Sequence, residues 1–339
     1  MRTILLATAT AALLAGCGSG SISTPAGSSS STSGTTTGTG LASAYKTVVW
    51  QDNFANDASG APNPAYWAAL TGNGTEYGNT GWGNNEAEYY LPSNATVSGG
   101  DLLLHGHADS TVLTQSCSSS YTNCLFSSAR LTSLKTVDLS QPGYLEVDAE
   151  LPTGTGSWPA IWLLPGQSPG AAFPPTAAAL SAQPTWPAGG EIDMAEWMGT
   201  YFSGQDAMVQ STLHLPTPGT TSPYKDTYEY QQATLSSPIA TSFHRYQLAW
   251  TAQQITFAVD DNVVMTCSKA TMQCTPTLTG SPSFPATAIW PYGTSYTQYY
   301  LLLNLAIGGN LGAPGQNNAN VPSNYDQTMK VSDVRYMTP

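Results

Sequence analysis

The sequence predicts an all-β domain, an antiparallel β-sandwich or barrel, on three observations. Of its 339 residues 41% are apolar, with 18 Tyr, 9 Trp, 32 Gly and 24 Pro, a composition that forms a core and turns often. Short runs rich in β-branched and aromatic residues recur between Gly, Pro, Asn and Ser punctuation, several of them alternating in period two. The one helix-like stretch, "PPTAAALSAQPTW" (174–186), is short and bounded by Pro.

The chain begins with an export-like segment. Met1 and Arg2 supply a positive start, Ile4 to Leu14 an apolar core too short to span a bilayer, and Leu14-Ala15-Gly16-Cys17 resembles the bacterial lipobox, with Cys17 as the lipidated residue. Residues 1–17 are therefore read as a lipoprotein signal peptide, with a membrane reached through a lipid at Cys17 and ordinary secretion as the alternative. Residues 18–44 are almost wholly Gly, Ser, Thr and Ala, a flexible tether. From Tyr45 to Pro339 the composition is even, so one domain of 45–339 is the simplest division.

Within that domain the strand-like runs come in order: "KTVVWQDNF", "GDLLLHGHA", "GYLEVDAELP", "AIWLLP", "EIDMAEW", "RYQLAWT", "QITFAVDDNVVMT", "YYLLLNLAIGG" and "MKVSDVRYM". Asp260 to Asn262 mark a hairpin turn, because Asp and Asn tolerate tight-turn geometry. His105 and His107 alternate onto one strand face and are read as a surface pair rather than a metal site. Cys117, Cys124, Cys267 and Cys274 form two pairs that each enclose six residues; export makes two local disulfides the natural reading, against a four-Cys zinc site with unusual spacing. The net charge of −12 arises from only 9 Lys and Arg, which leaves no basic patch for nucleic acid.

"GGEIDMAEWMG" (189–199) packs Glu191, Asp193 and Glu196 into six positions of a chain in which 9% of residues are charged. A regular strand would place Glu191 and Asp193 on one face and Glu196 on the other. One extra residue taken up as a β-bulge returns Glu196 to the face of the other two. Three acids on one face repel each other, which structural strands avoid. Paired carboxylates roughly 5–5.5 Å apart are what a retaining glycosidase needs, one as nucleophile and one as acid/base. A solvated acidic strand, or inward charges that blunt a sheet edge, is the plain alternative.

The pattern Glu-x-Asp-x-x-Glu resembles the bulged signature of glycoside hydrolase family 16, and further segments look like the family's own in the family's order: "WGNNEAEYY" (82–90), "SARLTS" (128–133), "GYLEVDAELPTGTGSWPAIWLLP" (143–165), "STLHLP" (211–216), "FHRYQLAWT" (243–251) and "YLLLNLAIGGN" (300–310). The resemblance implies a concanavalin A-like jelly-roll β-sandwich of two antiparallel sheets with the sugar in a concave cleft. It implies Glu191 as nucleophile, Asp193 as its assistant and Glu196 as acid/base. It further implies Asn85 and Arg130 as hydrogen-bonding partners of sugar hydroxyls, Trp158, Trp162 and Trp186 in or under the cleft, and His214 near the acid/base; Asn304, in "LLLNLAIGGN", is a further candidate to bind substrate from the cleft, with a bond to backbone as the alternative. Flat apolar rings suit the C–H faces of a neutral glycan.

The implied activity is retaining hydrolysis of a laminarin-like β-1,3-glucan by a monomer. Mixed-linkage glucanase, agarase or galactanase, transglycosylase and non-catalytic glucan-binding lectin are the alternatives. No metal or other cofactor is required. Many members carry an Asp in the C-terminal strand that helps hold calcium; here Ser332 takes that place and Asp333 is displaced by one position, which argues against calcium. Residues 166–190 form a longer connection than in simple laminarinases, and such a loop beside a cleft can set specificity.

Overall fold

A computed structural model describes residues 40–55, 57, 60–117, 123–166, 186–219, 224–276 and 284–339. The signal segment with Cys17, most of the tether and most of the 166–190 connection, including the helix-like stretch up to Thr185, lie outside the described residues. Residues Leu41–Ala44, counted above with the tether, form a single 3-10 turn, and the ring of Tyr45 stacks on Tyr144 at 5.4 Å.

In chain order the first strands are β1 (Thr47–Asp52), β2 (Trp67–Ala69), β3 (Glu88–Tyr90), β4 (Ala95–Ser98), β5 (Asp101–Ala108), β6 (Phe126–Ser128), β7 (Arg130–Asp138), β8 (Gly143–Glu150) and β9 (Ser157–Pro165). The rest are β10 (Glu191–Glu196), β11 (Met208–Pro218), β12 (Tyr224–Thr234), β13 (His244–Trp250), β14 (Gln254–Val259), β15 (Asn262–Ser268), β16 (Gln273–Thr275), β17 (Gln298–Ile307) and β18 (Asp326–Thr338). Each of the nine strand-like runs is a strand or, for "QITFAVDDNVVMT", a pair of them. Among the described residues no helix is long and apolar enough to cross a membrane.

The strands make two sheets. One runs β16-β15-β14-β13-β8-β18-β5-β6-β3, with β1 also paired to β18 and β4 to β5; the other runs β12-β11-β10-β9-β17-β7-β2. Pairing is antiparallel throughout except for the parallel pair β3 and β6. Alternation fills the space between the sheets: on β17, Leu301 and Leu303 join the main core, while Tyr300 and Leu302 pack with Trp162 and Leu164 on the opposite face. Asn304 follows the even-numbered register and so comes to that opposite face, which carries the cleft.

The β14–β15 hairpin turns on Asp260 (φ 50°) and Asp261 (φ 65°), the paired left-handed residues of a type I′ turn, with Val259 opposite Asn262. Both disulfides form as local links, Cys117–Cys124 and Cys267–Cys274, the second across the β15–β16 pair. His105 and His107 stack at 4.4 Å on β5, and His105 bonds Asp326 at 2.8 Å.

At the C-terminal strand, the Ser332 hydroxyl donates to the Asp148 carbonyl at 3.4 Å. The Asp333 carboxylate accepts a bond from Gln51 at 2.6 Å and lies 3.7 Å from the Arg335 guanidinium. A resident arginine beside this acid does not fit a metal cation at the same oxygens.

Candidate active site

The site is built on an irregularity of β10. Against β11, Glu191 faces His214 and Asp193 faces Thr212, but Glu196 faces Gln210: β10 advances three residues while its partner advances two. The same slip occurs against β9, between Asp193 and Ala195. This is the bulge that the two-then-three spacing predicts, and Met194 and Ala195 both go into the core. The Ser211 hydroxyl donates to the Met194 carbonyl at 2.8 Å and so fixes the bulge backbone. At the strand's entrance Gly190 has φ +71°, and a Cβ there would meet the Tyr292 hydroxyl oxygen at 2.5 Å. That hydroxyl sits between the Glu191 backbone and the His214 carbonyl, clamping β10 to β11.

The three carboxyls line one open cleft on the seven-stranded sheet, together with Trp82, Asn84, Glu86, Arg130, Trp158, Trp162 and Asn304. Each glutamate receives an indole N–H: Trp186 donates to Glu191 at 2.7 Å and Trp158 to Glu196 at 2.9 Å. His214 joins two acids at once, with Nε2 3.0 Å from Asp193 and Nδ1 3.0 Å from both oxygens of Asp226 on β12. An imidazole can donate from both nitrogens only as the cation, so this geometry holds His214 protonated. Its bonds to Asp193 and Asp226 raise its pKa well above the ordinary range against the opposing effect of burial.

The acids respond to burial and to one another. Burial, helped by the neighbouring Glu191, pushes the Glu196 carboxyl up to about 7. Burial and the adjacent Asp193 push Glu191 to about 8; burial and Glu196 push Asp193 to about 6, with a hydrogen bond linking Glu191 and Asp193. The two share a proton, and the cluster near neutrality carries fewer than three negative charges beside one imidazolium. Glu191, Asp193 and His214 bring ligand atoms within 4.8 Å of one another. Both His214 nitrogens are already committed to carboxylates, which leaves no lone pair for a metal.

The remaining cleft wall is aromatic and neutral except at one end. The Arg130 guanidinium lies between two indoles, 4.4 Å from the Trp82 ring and 4.8 Å from the Trp162 ring. Trp162 donates to Asn304 at 2.7 Å, Asn304 donates to the Tyr90 hydroxyl at 3.2 Å, and Tyr90 donates to Glu86 at 3.1 Å. Burial raises the pKa of Glu86, and of Glu88 further because Glu86 lies beside it.

Of the residues expected from sequence, Arg130, Trp158, Trp162, Asn304 and the three acids line the cleft, while Trp186 and His214 reach it through Glu191 and Asp193. Asn85 does not. It has φ +59°, its side-chain oxygen is buried without a partner, and its neighbours Asn84 and Glu86 take the cleft wall instead. The reason is local: Trp82 is also left-handed, so "WGNNE" is a folded turn in which strand alternation does not decide which side chains reach the cleft. Asp226 and Tyr292 were not anticipated, since neither stands near the other site residues in sequence.

The chain matches the glycosyl hydrolases family 16 over residues 105–301. It is 30% identical over 271 residues to a beta-glucanase of Rhodothermus marinus, covering 78% of this chain and 77% of that one. It is 28% identical to glucan endo-1,3-beta-glucosidase A1 of Niallia circulans across 87% of this chain, which spans 38% of that longer protein. Among solved structures, the endo-beta-1,3-glucanase of Pyrococcus furiosus superimposes with a TM-score of 0.64 at 25% identity, covering 86% of this chain and 94% of the other. The laminarinase of Rhodothermus marinus gives 0.59 at 27% identity, covering 86% and 97%. The jelly-roll sandwich is thus shared with these structures, and this chain is a glycoside hydrolase belonging to family 16.

Proposed function

We propose that the chain is an endo-β-1,3-glucanase that hydrolyses laminarin-like glucan with retention of configuration. One observation carries this reading: the bulge in β10 turns Glu191 and Glu196 to the same cleft, each oriented by an indole N–H. The names of the relatives and neighbours, which are β-glucanases and laminarinases, support the substrate class.

In this mechanism Glu191 passes its shared proton to Asp193 and attacks the anomeric carbon. Glu196, neutral because burial holds its pKa near 7, gives its proton to the departing glycosidic oxygen as that bond breaks. The covalent glycosyl-Glu191 ester is then opened by a water molecule that loses a proton to Glu196, which restores the acid and releases a sugar of the original configuration. Asp193 holds the proton during attack and returns it as Glu191 departs; when the proton is on Glu191, the His214 cation offsets the charge left on Asp193. The cleft wall of indoles and amides suits an uncharged glycan, and with so few basic residues sulfated substrates are disfavoured.

The test is a polysaccharide panel. Reducing ends appear from β-1,3-glucan with the wild type, and Glu191→Gln abolishes them while glucan binding is retained. Wild-type protein that binds glucan without cleaving it would make the protein a lectin. The export-like start and Leu14-Ala15-Gly16-Cys17 support an enzyme anchored to a membrane through lipid at Cys17. Cys17→Ala then moves the protein from the membrane fraction to the soluble one.

A further inference from the structure

The cleft residues named so far lie on and to one side of β10: Trp158 and Trp162 on β9, Asn304 on β17 and Arg130 on β7. On its other side the sheet continues through β11 to the edge strand β12, and the register carries the cleft's face with it. Glu191 faces His214, which faces Tyr228; Asp193 faces Thr212, which faces Tyr230; Glu196 faces Gln210, which faces Gln232. Cross-strand partners share a face, so Tyr228, Tyr230 and Gln232 stand on the same surface as the three carboxyls, about 10 Å away at two inter-strand spacings.

The rings form a connected series that begins at the carboxylates. Trp186, whose indole bonds Glu191, lies 6.0 Å from His214; His214 lies 5.4 Å from Tyr228, and Tyr228 lies 6.3 Å from Tyr230. Tyr228 is 52% exposed, on a strand whose neighbour Glu229 is buried on the opposite face. Beside the rings Gln232 donates to Gln210 at 3.2 Å, and Gln210 to Thr212 at 3.2 Å. Each amide has two N–H donors and an acceptor, so the pair keeps hydrogen-bonding capacity for hydroxyl groups.

We propose that this surface, Tyr228 and Tyr230 with Gln210 and Gln232, is a carbohydrate subsite that holds the glucan on the side of the scissile bond opposite the Trp82–Arg130 pocket. The inference rests on the glucanase reading above and extends it: the chain binds across the sheet, with rings for the C–H faces of sugars at both ends and the carboxylates between them. A neutral glycan is the occupant because the platform continues the catalytic cleft and presents aromatic faces and amides, with no cation among its four members. A ring that only anchors substrate outside the reacting unit improves long substrates and leaves short ones unaffected.

The experiment compares Tyr228→Ala/Tyr230→Ala with wild type and with Tyr228→Phe/Tyr230→Phe, on β-1,3-linked gluco-oligosaccharides of increasing length. The Ala pair is expected to lower kcat/KM on the longest oligomers by about tenfold, through KM, with the shortest cleaved substrate unchanged; the Phe pair, which keeps both rings, is expected to stay close to wild type. An equal kcat/KM for the Ala pair and wild type at every length would overturn the subsite while leaving the glucanase reading intact. A uniform loss on short and long oligomers alike would overturn it as well, since that marks a structural role. Failure of the wild type to cleave any of the oligomers would instead overturn the glucanase reading, and the subsite with it.

Discussion

Replacing Glu196 by Gln removes a charge that the fold holds at a cost. The carboxyl is 8% exposed, and burial raises its pKa from 4.5 to about 7. A carboxyl whose folded pKa lies above its unfolded one favours the folded state only while protonated; that advantage is lost as pH rises from the unfolded value through the folded one. At pH 8 the difference of about 2.5 pH units corresponds to roughly 3 kcal/mol at 1.36 kcal/mol per unit, and at pH 4 to almost nothing. Gln keeps an oxygen for the Trp158 indole without the charge. Glu196→Gln is therefore expected to be more stable than wild type by about 3 kcal/mol at pH 8, with a Tm higher by about 5 °C, while its hydrolysis is lost. Urea denaturation of both proteins at pH 4, 6 and 8 measures this. A gain that is absent at pH 8, or equal at pH 4 and pH 8, would refute the argument that burial sets the acid's pKa.

Other perturbations test the surrounding groups. Asp226→Asn removes one of the two carboxylates that hold His214 as a cation, so the imidazole resonance should titrate about one pH unit lower or more, and stability that depends on the cation should fade at correspondingly lower pH. An unchanged titration would contradict the two-acid clamp. Arg130→Lys keeps the charge but loses the planar group stacked between Trp82 and Trp162; kcat/KM on β-1,3-glucan should fall by about tenfold, mainly through KM. Cys267→Ala/Cys274→Ala opens a short loop on the sheet that does not carry the carboxylates. It should cost about 2 kcal/mol in urea denaturation with kcat unchanged.

Much of the fold is legible in the sequence because its strands are bounded by turn residues and alternate strongly. The period-two pattern of "YYLLLNLAIGG" separates Leu301 and Leu303 in the core from Asn304 in the cleft, and Asp260-Asp261 form the hairpin turn that their chemistry favours. The bulge is legible for the same reason: alternation makes a spacing of three between two acids conspicuous. The edge strand β12, "YKDTYEYQQAT", is different. It carries few aliphatic residues, one face lies open beside the cleft, and Glu229 is buried on the other, so no hydrophobic alternation reveals it.

The site divides along a similar line. Residues held on regular strands, such as Arg130, Trp158 and Trp162, fall where alternation puts them. Asn85 does not, because the left-handed residues of "WGNNE" rotate the chain by amounts that residue types alone do not encode. Asp226 and Tyr292 act through contacts with His214 and the Glu191 backbone, which depend on strand register and on a long connection rather than on any local motif.

The most direct test of the central claim is the configuration of the first product. Proton NMR during digestion of laminarin by the wild type follows the anomeric proton of each new reducing end before mutarotation equalises the two forms. Attack by Glu191 followed by water on the same face predicts that the β-anomer appears first and the α-anomer grows in afterwards. An α-anomer formed first would contradict the pairing of Glu191 and Glu196 as nucleophile and acid/base.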